Sequence, residues 1–301
     1  MRILHLDSGR EMRGGQWQAL ALHRGLVAAG HESLLLARAG GPLGEEARRE
    51  KLPSEALSAL RVARLSGDFD LVHAHDARSH TIAALAGRAP LVVSRRVAFP
   101  VRDSALSKWK YRRPRLFLAV SRFVAGELCK AGVDERRVDV IYDGVKLPAE
   151  AAWSDDEDLA RAVVTPFTPD PDKCMALAEE AARLAGVPLV KSRALPVDLL
   201  RARALLYLTR SEGLGSGILL AMALGVTVIA SNTGGIPELI TNGRNGILVD
   251  NDAAAVQSAL TAVLSGGNSS LGHAARETVR ERFTEKHMVD ATLAAYRKAL
   301  A

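Results

Sequence analysis

Ser211-Glu-Gly-Leu-Gly-Ser-Gly-Ile-Leu-Leu-Ala-Met-Ala-Leu-Gly-Val-Thr-Val-Ile-Ala-Ser231 compresses a strand exit, a glycine turn, a helix and a second strand into one run. The apolar Leu205-Leu-Tyr-Leu-Thr209 ahead of it has the composition of a strand buried on both faces. Gly213, Gly215 and Gly217 interrupt that pattern and permit backbone conformations, and close approach by a ligand, that other residues resist. Ile218 to Leu224 is helical in composition, Gly225 stands where a C-cap belongs, and Thr227-Val-Ile-Ala230 reads as another buried strand. Unpaired amides at a helix N-terminus favour an anion, so the turn suits a phosphate-bearing ligand. Glu212 stands at the carboxyl end of the strand, where open α/β sheets bind ligands.

The same alternation runs outward in both directions. Strands are expected at Arg2–Asp7, Ser33–Ala37, Asp70–His75, Leu91–Ser94, Leu116–Val120 and Val138–Tyr142. Helices are expected at Gln16–Ala29, Ser79–Ala86 and Arg122–Ala131, with Gly30 and Gly132 as stops. Pro148, small residues and the acidic run Asp155–Asp158 read as a linker over Lys146–Asp158. A second α/β unit follows, with strands at Ala162–Thr165, Val187–Val190 and Gly246–Val249 and helices at Lys173–Leu184, Val197–Arg203 and Ala253–Leu264. A terminal helix over 285–299 carries Met288, Leu293 and Tyr296, with Leu300 continuing its apolar pattern. The class is α/β: two doubly wound, parallel-sheet, Rossmann-like domains.

Composition narrows the function classes. The chain has 301 residues, 48% hydrophobic and 25% charged, as in a globular protein with room for two domains. No apolar run approaches the ~20 residues of a membrane span, and the chain enters a strand at once, so no signal peptide is expected. Cys129 and Cys174 are too few for a disulfide framework, which makes a reducing cytoplasm the default. The net charge of +6 is uneven: residues 1–145 hold 24 Lys+Arg against 16 Asp+Glu, and the remainder is slightly acidic. A basic first half points to an anionic partner. Lys108-Trp-Lys-Tyr-Arg-Arg-Pro-Arg115 is its densest run, with Lys108, Lys110, Arg112, Arg113 and Arg115 around two aromatics. It reads either as a solvated helix start or loop, or as a contact with an acidic membrane surface or acceptor. No nucleic-acid module accompanies the charge, so nucleic acid is not an expected partner. The first strand is not followed by a dinucleotide glycine fingerprint, which argues against a dehydrogenase.

Residues 211–231, followed by Asn232-Thr-Gly-Gly-Ile-Pro-Glu238, resemble the donor-binding motif of retaining glycosyltransferases of family 4, which have the GT-B fold. A Ser-Arg-Arg-Val-x-Phe-Pro-Val string beginning at Ser94 is similar to a bacterial envelope-polysaccharide branch. The resemblance implies two lobes facing a cleft: residues 1–147 on the acceptor side, 159–281 on the donor side, and 282–301 crossing back to the first lobe. It also implies a cytoplasmic enzyme, free or resting on the inner membrane face, that moves a hexosyl or heptosyl group from a nucleotide-diphosphate sugar to an envelope glycan or lipid-linked acceptor. No cofactor or metal is implied.

In that frame Glu212 is the catalytic candidate, hydrogen bonding to donor-sugar hydroxyls rather than attacking as a nucleophile. Gly213, Leu214, Gly215 and Ser216 form the donor turn, and Gly14 and Gly15 form a second glycine turn opening a helix. Lys173 matches a family lysine that meets phosphate, while Arg95 and Arg96 end a strand where a phosphate or acidic acceptor could bind. His75, Asp76 and Ser121 are cleft candidates on the acceptor side. His73 and His75 lack an identified third ligand, so no metal site is expected. Each candidate also has a structural reading: Glu212 as a helix cap, the glycine pair as a plain loop, Lys173 as a solvated lysine, the arginines as surface ion pairs.

Gln16-Trp17-Gln18 lacks the Glu that often follows the family's glycine pair, and three positions of the second lobe depart from the family pattern as well. Leu220 stands eight residues after Glu212, where the family has a second Glu that grips the nucleotide ribose. Phe167 or Thr168 occupies the place of a phosphate-binding Arg, and Cys174 that of a Gly. These departures leave open a weakened or inactive descendant that acts as a binding or scaffolding protein.

Overall fold

The computed structural model describes residues 1–101, 104–149, 162–266 and 269–301. The acidic run Asp155–Asp158 and the expected start of the second lobe at residue 159 lie outside the described residues. The chain divides into two compact units, Met1–Gly144 with Glu285–Ala301, and Val145–Thr284.

The first unit runs β1 (Arg2–Asp7), α1 (Gly14–Ala28), β2 (Glu32–Ala37), α2 (Pro42–Arg49), β3 (Ser54–Ala56), α3 (Ala59–Leu65), β4 (Leu71–Ala74), α4 (Ala77–Ala86), β5 (Leu91–Arg95), α5 (Ala105–Arg112), β6 (Leu116–Ala119), α6 (Arg122–Lys130) and β7 (Val138–Val140). Its seven strands are parallel, in the order β3-β2-β1-β4-β5-β6-β7. Helices α2 and α3 were not expected from the sequence. The basic run around Lys108–Arg112 forms the body of α5, capped by Ser104.

The second unit runs β8 (Ala162–Pro166), α7 (Met175–Ala185), β9 (Leu189–Ser192), α8 (Leu195–Asp198), β10 (Ala202–Tyr207), α9 (Ser216–Ala223), β11 (Thr227–Ser231), β12 (Ile247–Val249), α10 (Ala253–Ser265) and α11 (Ser269–Arg282). Its parallel sheet has the order β12-β11-β10-β8-β9. The apolar run at Leu205 begins earlier than expected, at Ala202, and its strand ends at Tyr207, two residues short of Thr209. Its core joins Val163, Leu206 and Ile229 of the sheet to Val256, Leu260 and Val263 of α10.

The last helix, α12 (Glu285–Leu300), belongs to the first unit. Met288, Val289, Leu293, Tyr296 and Ala299 pack with Leu22 and Leu26 of α1 and Leu118 of β6. The approach is close at Gly25, where a Cβ would lie 2.5 Å from Val289 Cγ2. Arg24 holds the rim, bonding Glu50 at 2.8 Å and Glu285 at 2.7 Å.

Candidate functional site

In the second unit the strand order reverses direction between β8 and β10. Chain connections there leave in opposite senses and open a gap at the carboxyl ends, the usual ligand position of such sheets. Lys173 arrives from the loop after β8, and Glu212 from the loop after β10. Their side chains meet: Lys173 Nζ lies 2.6 Å from Glu212 Oε2, with 24% and 17% of the two side chains exposed. Tyr207, the last residue of β10, donates its hydroxyl to the same oxygen at 2.7 Å, and the ammonium lies 5.1 Å from its ring centre. Burial and the neighbouring carboxylate push the Tyr207 hydroxyl well above its ordinary pKa, so it stays a donor.

The backbone fixes this arrangement. Arg210 N donates to Asp172 O at 2.8 Å, tying the two loops together. Gly235 N donates to Glu212 O, and a Cβ at Gly234 would collide with that carbonyl, so the 233–235 loop presses directly on Glu212. Gly213, Leu214 and Gly215 are buried and Ser216 half-buried; Gly215, at φ 108°, is the N-cap of α9. The turn therefore presents helix-terminal amides beside a carboxylate and an ammonium. Leu220 is half-buried on α9 and offers no polar atom to a ligand. Cys174 takes φ 44° and ψ 37°, a left-handed conformation that favours the family's Gly. At Phe167 or Thr168 the resemblance places an Arg, and a guanidinium arrives there from elsewhere: Arg193, following β9, stacks 4.4 Å from the Phe167 ring centre. Phe167 N donates to Ser192 O at 2.7 Å, which sets the two residues side by side.

In the first unit the order reverses between β1 and β4, and Asp7 ends β1 there. Its carboxylate is buried, accepts from Gly9 N at 2.7 Å, and receives Gln16 Nε2 at 3.2 Å. Burial, helped by nearby Asp76, raises its pKa to about 6. Gly14 begins α1, and Gly15 faces Arg96, whose Cδ would lie 3.7 Å from an added Cβ. Arg96 is largely buried, with Nε 3.1 Å from Asp143 Oδ1 and Nη1 3.4 Å from His75 Nδ1. Arg95 bonds the Tyr111 hydroxyl and Phe99 O.

Two acceptor-side candidates turn out to hold helices. Asp76 caps α4 through Arg78 N and Ser79 N and also accepts from Ser8 N and its hydroxyl. Ser121 is fully buried and accepts from Val124 N as the cap of α6. His75, the third, is buried too, at 6% exposed.

The expectation that His73 and His75 lack a third convergent partner is corrected by the fold. Register pairs His5 with His73 across β1 and β4, and nitrogens of His5, His73 and His75 lie within 4.8 Å of one another. Burial lowers all three pKa values well below the ordinary one, so the rings are neutral. His73 is held by the Tyr296 hydroxyl at 2.6 Å and Ser94 Oγ at 2.8 Å. His5 Nδ1 and His75 Nε2 share one hydrogen bond of 2.9 Å. A guanidinium donates only, so Arg96 makes His75 Nδ1 the acceptor and puts the ring proton on Nε2, facing His5. The His5 proton is then on Nε2, which has no hydrogen-bond partner among the described residues. With five of the six ring nitrogens already bonded and a cation alongside, the cluster forms a polar core that locks α12 through Tyr296.

Sequence reasoning passed over Tyr207, Asp7 and Arg193. Asp7 carried a signal, a charge at the carboxyl end of an apolar strand. Tyr207 and Arg193 carried none: the loop after β10 folds back to bring Glu212 to Tyr207, and the adjacency of β8 and β9 sets Arg193 beside Phe167.

Comparison with known proteins decides the family. The model for Glycosyltransferase Family 4 matches residues 12–147, and that for Glycosyl transferases group 1 matches residues 142–266. The chain belongs to the family-4-like glycosyltransferases. Alpha-maltose-1-phosphate synthase of Mycobacterium tuberculosis is 33% identical over 156 residues, covering 47% of this chain and 40% of that protein. D-inositol 3-phosphate glycosyltransferase of Mycolicibacterium smegmatis is 32% identical over 136 residues, covering 44% and 31%. The chain thus matches less than half the length of these curated relatives. Among solved structures, Anabaena HepE in complex with UDP and glucose superposes with a TM-score of 0.86 at 17% identity, over 98% of this chain and 99% of that one. A glycosyltransferase from Rickettsia africae gives 0.80 at 20% identity, over 99% and 98%. At such identities the likeness establishes the fold, which is GT-B.

Proposed function

We propose that this chain transfers a glycosyl group from a nucleotide-diphosphate sugar to an envelope glycan or lipid-linked acceptor, with retention at the anomeric carbon. One observation carries the reading: Glu212, Lys173 and the amide-rich turn before α9 share the carboxyl edge where β8 and β10 diverge. Glu212 accepts hydrogen bonds from donor-sugar hydroxyls. The diphosphate draws the Lys173 ammonium toward itself and rests on the turn amides, while Tyr207 keeps hold of the freed carboxylate. Arg193 on Phe167 is the second cation we assign to the phosphates. Lysine, arginine and a helix N-terminus supply positive charge to the leaving group, so no metal is required of the mechanism. The reaction proceeds on one face of the sugar, with the leaving phosphate taking the acceptor proton and orientation supplying the acceleration.

Structures of Anabaena HepE with UDP and with UDP-glucose support a uridine diphosphate donor and a hexosyl group over a heptosyl one. No described helix is long and apolar enough to cross a membrane. Helix α5, with Leu106 and Trp109 exposed among Lys108, Lys110 and Arg112, is the surface we assign to peripheral contact on the cytoplasmic face.

Purified protein and a panel of nucleotide sugars test the reading. Turnover or saturable binding of one donor is expected; no binding of any donor or of its nucleoside diphosphate rejects it. Leu220 favours the second reading, an inactive scaffold. Leu220→Glu separates the two: raised donor affinity from a negligible start indicates eroded function, and lost turnover indicates that the apolar residue belongs to a working pocket.

A further inference from the structure

A basic hollow lies at the opposite edge of the first unit from its candidate residues. It is open to solvent, about 650 Å³, and lined by Ala83, Ala84 and Gly87 of α4 and its exit, Pro90 leading into β5, and the side chains of Arg88, Arg113 and Arg115. Pro90 and Arg115 precede β5 and β6, so the hollow sits at the amino ends of those strands. Arg95 and Arg96 are at the carboxyl end of β5, roughly 15 Å away at about 3.3 Å per residue.

The three arginines come from two segments, Arg88 after α4 and Arg113 and Arg115 between α5 and β6, each with its backbone pinned. Arg88 N donates to Ser66 Oγ at 3.1 Å, Arg113 N to Lys110 O at 3.3 Å, and Arg115 N to Leu91 O at 2.8 Å. Their guanidinium groups are less engaged. Arg113 Nε donates to Ala84 O, and its guanidinium lies 5.9 Å from the Trp109 ring centre. Arg88 and Arg115 make no side-chain ion pair among the described residues, and no carboxylate lines the hollow. Like charges gathered in a concavity without a counter-charge raise the local potential and favour an anion. Gly87 lets the chain leave α4 tightly here, because a Cβ there would meet Ala83 O at 2.6 Å.

We propose that Arg88, Arg113 and Arg115 form an anion site for a phosphate group, separate from the donor site. Guanidinium forks match phosphate oxygens in geometry as well as charge. Phosphate could come from a lipid headgroup or from a soluble phosphorylated molecule. Leu85 on α4 and Trp109 on α5, both exposed beside the hollow, give a headgroup apolar neighbours.

Two probes distinguish the sources: inorganic pyrophosphate by calorimetry, and phosphatidylglycerol-containing vesicles by co-sedimentation against phosphatidylcholine alone. Both are run in a Lys173→Ala/Arg193→Ala background, in which additive losses weaken donor-site binding about a hundredfold. Saturable binding to at least one probe is expected, weakened about fivefold for each arginine removed in Arg88→Ala and Arg88→Ala/Arg115→Ala. Arg49→Ala, an exposed arginine on α2 outside the hollow, should change binding by less than about twofold. Pyrophosphate binding alone assigns a soluble ligand; vesicle binding alone assigns a headgroup. Binding of neither probe, or an Arg49→Ala loss equal to that of the double variant, overturns the proposal.

Discussion

Acid should loosen the first unit selectively. His5, His23, His73, His75 and His80 are all buried there, while the second unit holds no buried histidine among its described residues. Burial lowers His23 to about 4 and His80 to about 3, from an ordinary 6.5. Because the folded values lie below the unfolded one, the unfolded chain takes up protons that the fold refuses. Stability is therefore complete above about pH 6.5 and is lost as pH falls toward the folded values. At about 1.36 kcal/mol per pH unit, going from pH 7 to pH 5 costs about 2 kcal/mol for each of these two residues. Asp7 acts oppositely: its value is raised to about 6 by burial, so the penalty of its buried charge eases on acidification, by about 1 kcal/mol. The net loss is about 3 kcal/mol before His5, His73 and His75, which are shifted the same way, are included. A unit of this size should melt about 6–12 °C lower. Calorimetry at the two pH values, with hydrogen exchange of β1 and β4 peptides against β10 and β11 peptides, reads the difference. In His23→Gln the pH-dependent drop should shrink by about 2 kcal/mol. An unchanged first-unit transition at pH 5, or equal loosening of both units, would refute the reasoning.

Three further outcomes follow from the same geometry. Arg193→Ala and Lys173→Ala should each weaken nucleoside diphosphate binding about tenfold, measured by calorimetry, because each removes a charged donor; an unchanged affinity for Arg193→Ala removes it from the site. Cys174→Gly should stabilise the second unit by up to about 1 kcal/mol in urea titration, by relieving a left-handed non-glycine residue at some entropic loss. Gly25→Ala should destabilise the first unit by about 1–3 kcal/mol, since the new methyl meets Val289 between α1 and α12.

The amino-acid sequence by itself determined the elements whose signals are local. Glycine breaks, apolar strand runs and capping residues act over a few neighbours, so the turn at Gly213–Gly217, the helix after it and the alternation of both units were legible. Helices α2 and α3 were not, and α5 was only one of the readings of its basic run, because each spans just seven or eight residues, too short for a clear period. Only the tertiary structure decided the pairings. His5 meets His73 because two strands pair in one register, and Tyr207 reaches Glu212 because the chain turns back over its own strand end. Arg193 supplies a guanidinium at Phe167 because β8 and β9 are neighbours. Tyr296, more than 200 residues from its partner His73, is placed by the return of α12 to the first unit. Such contacts depend on which strands lie side by side, and that choice is made by burying the whole apolar surface of a sheet, which no short window of residues encodes.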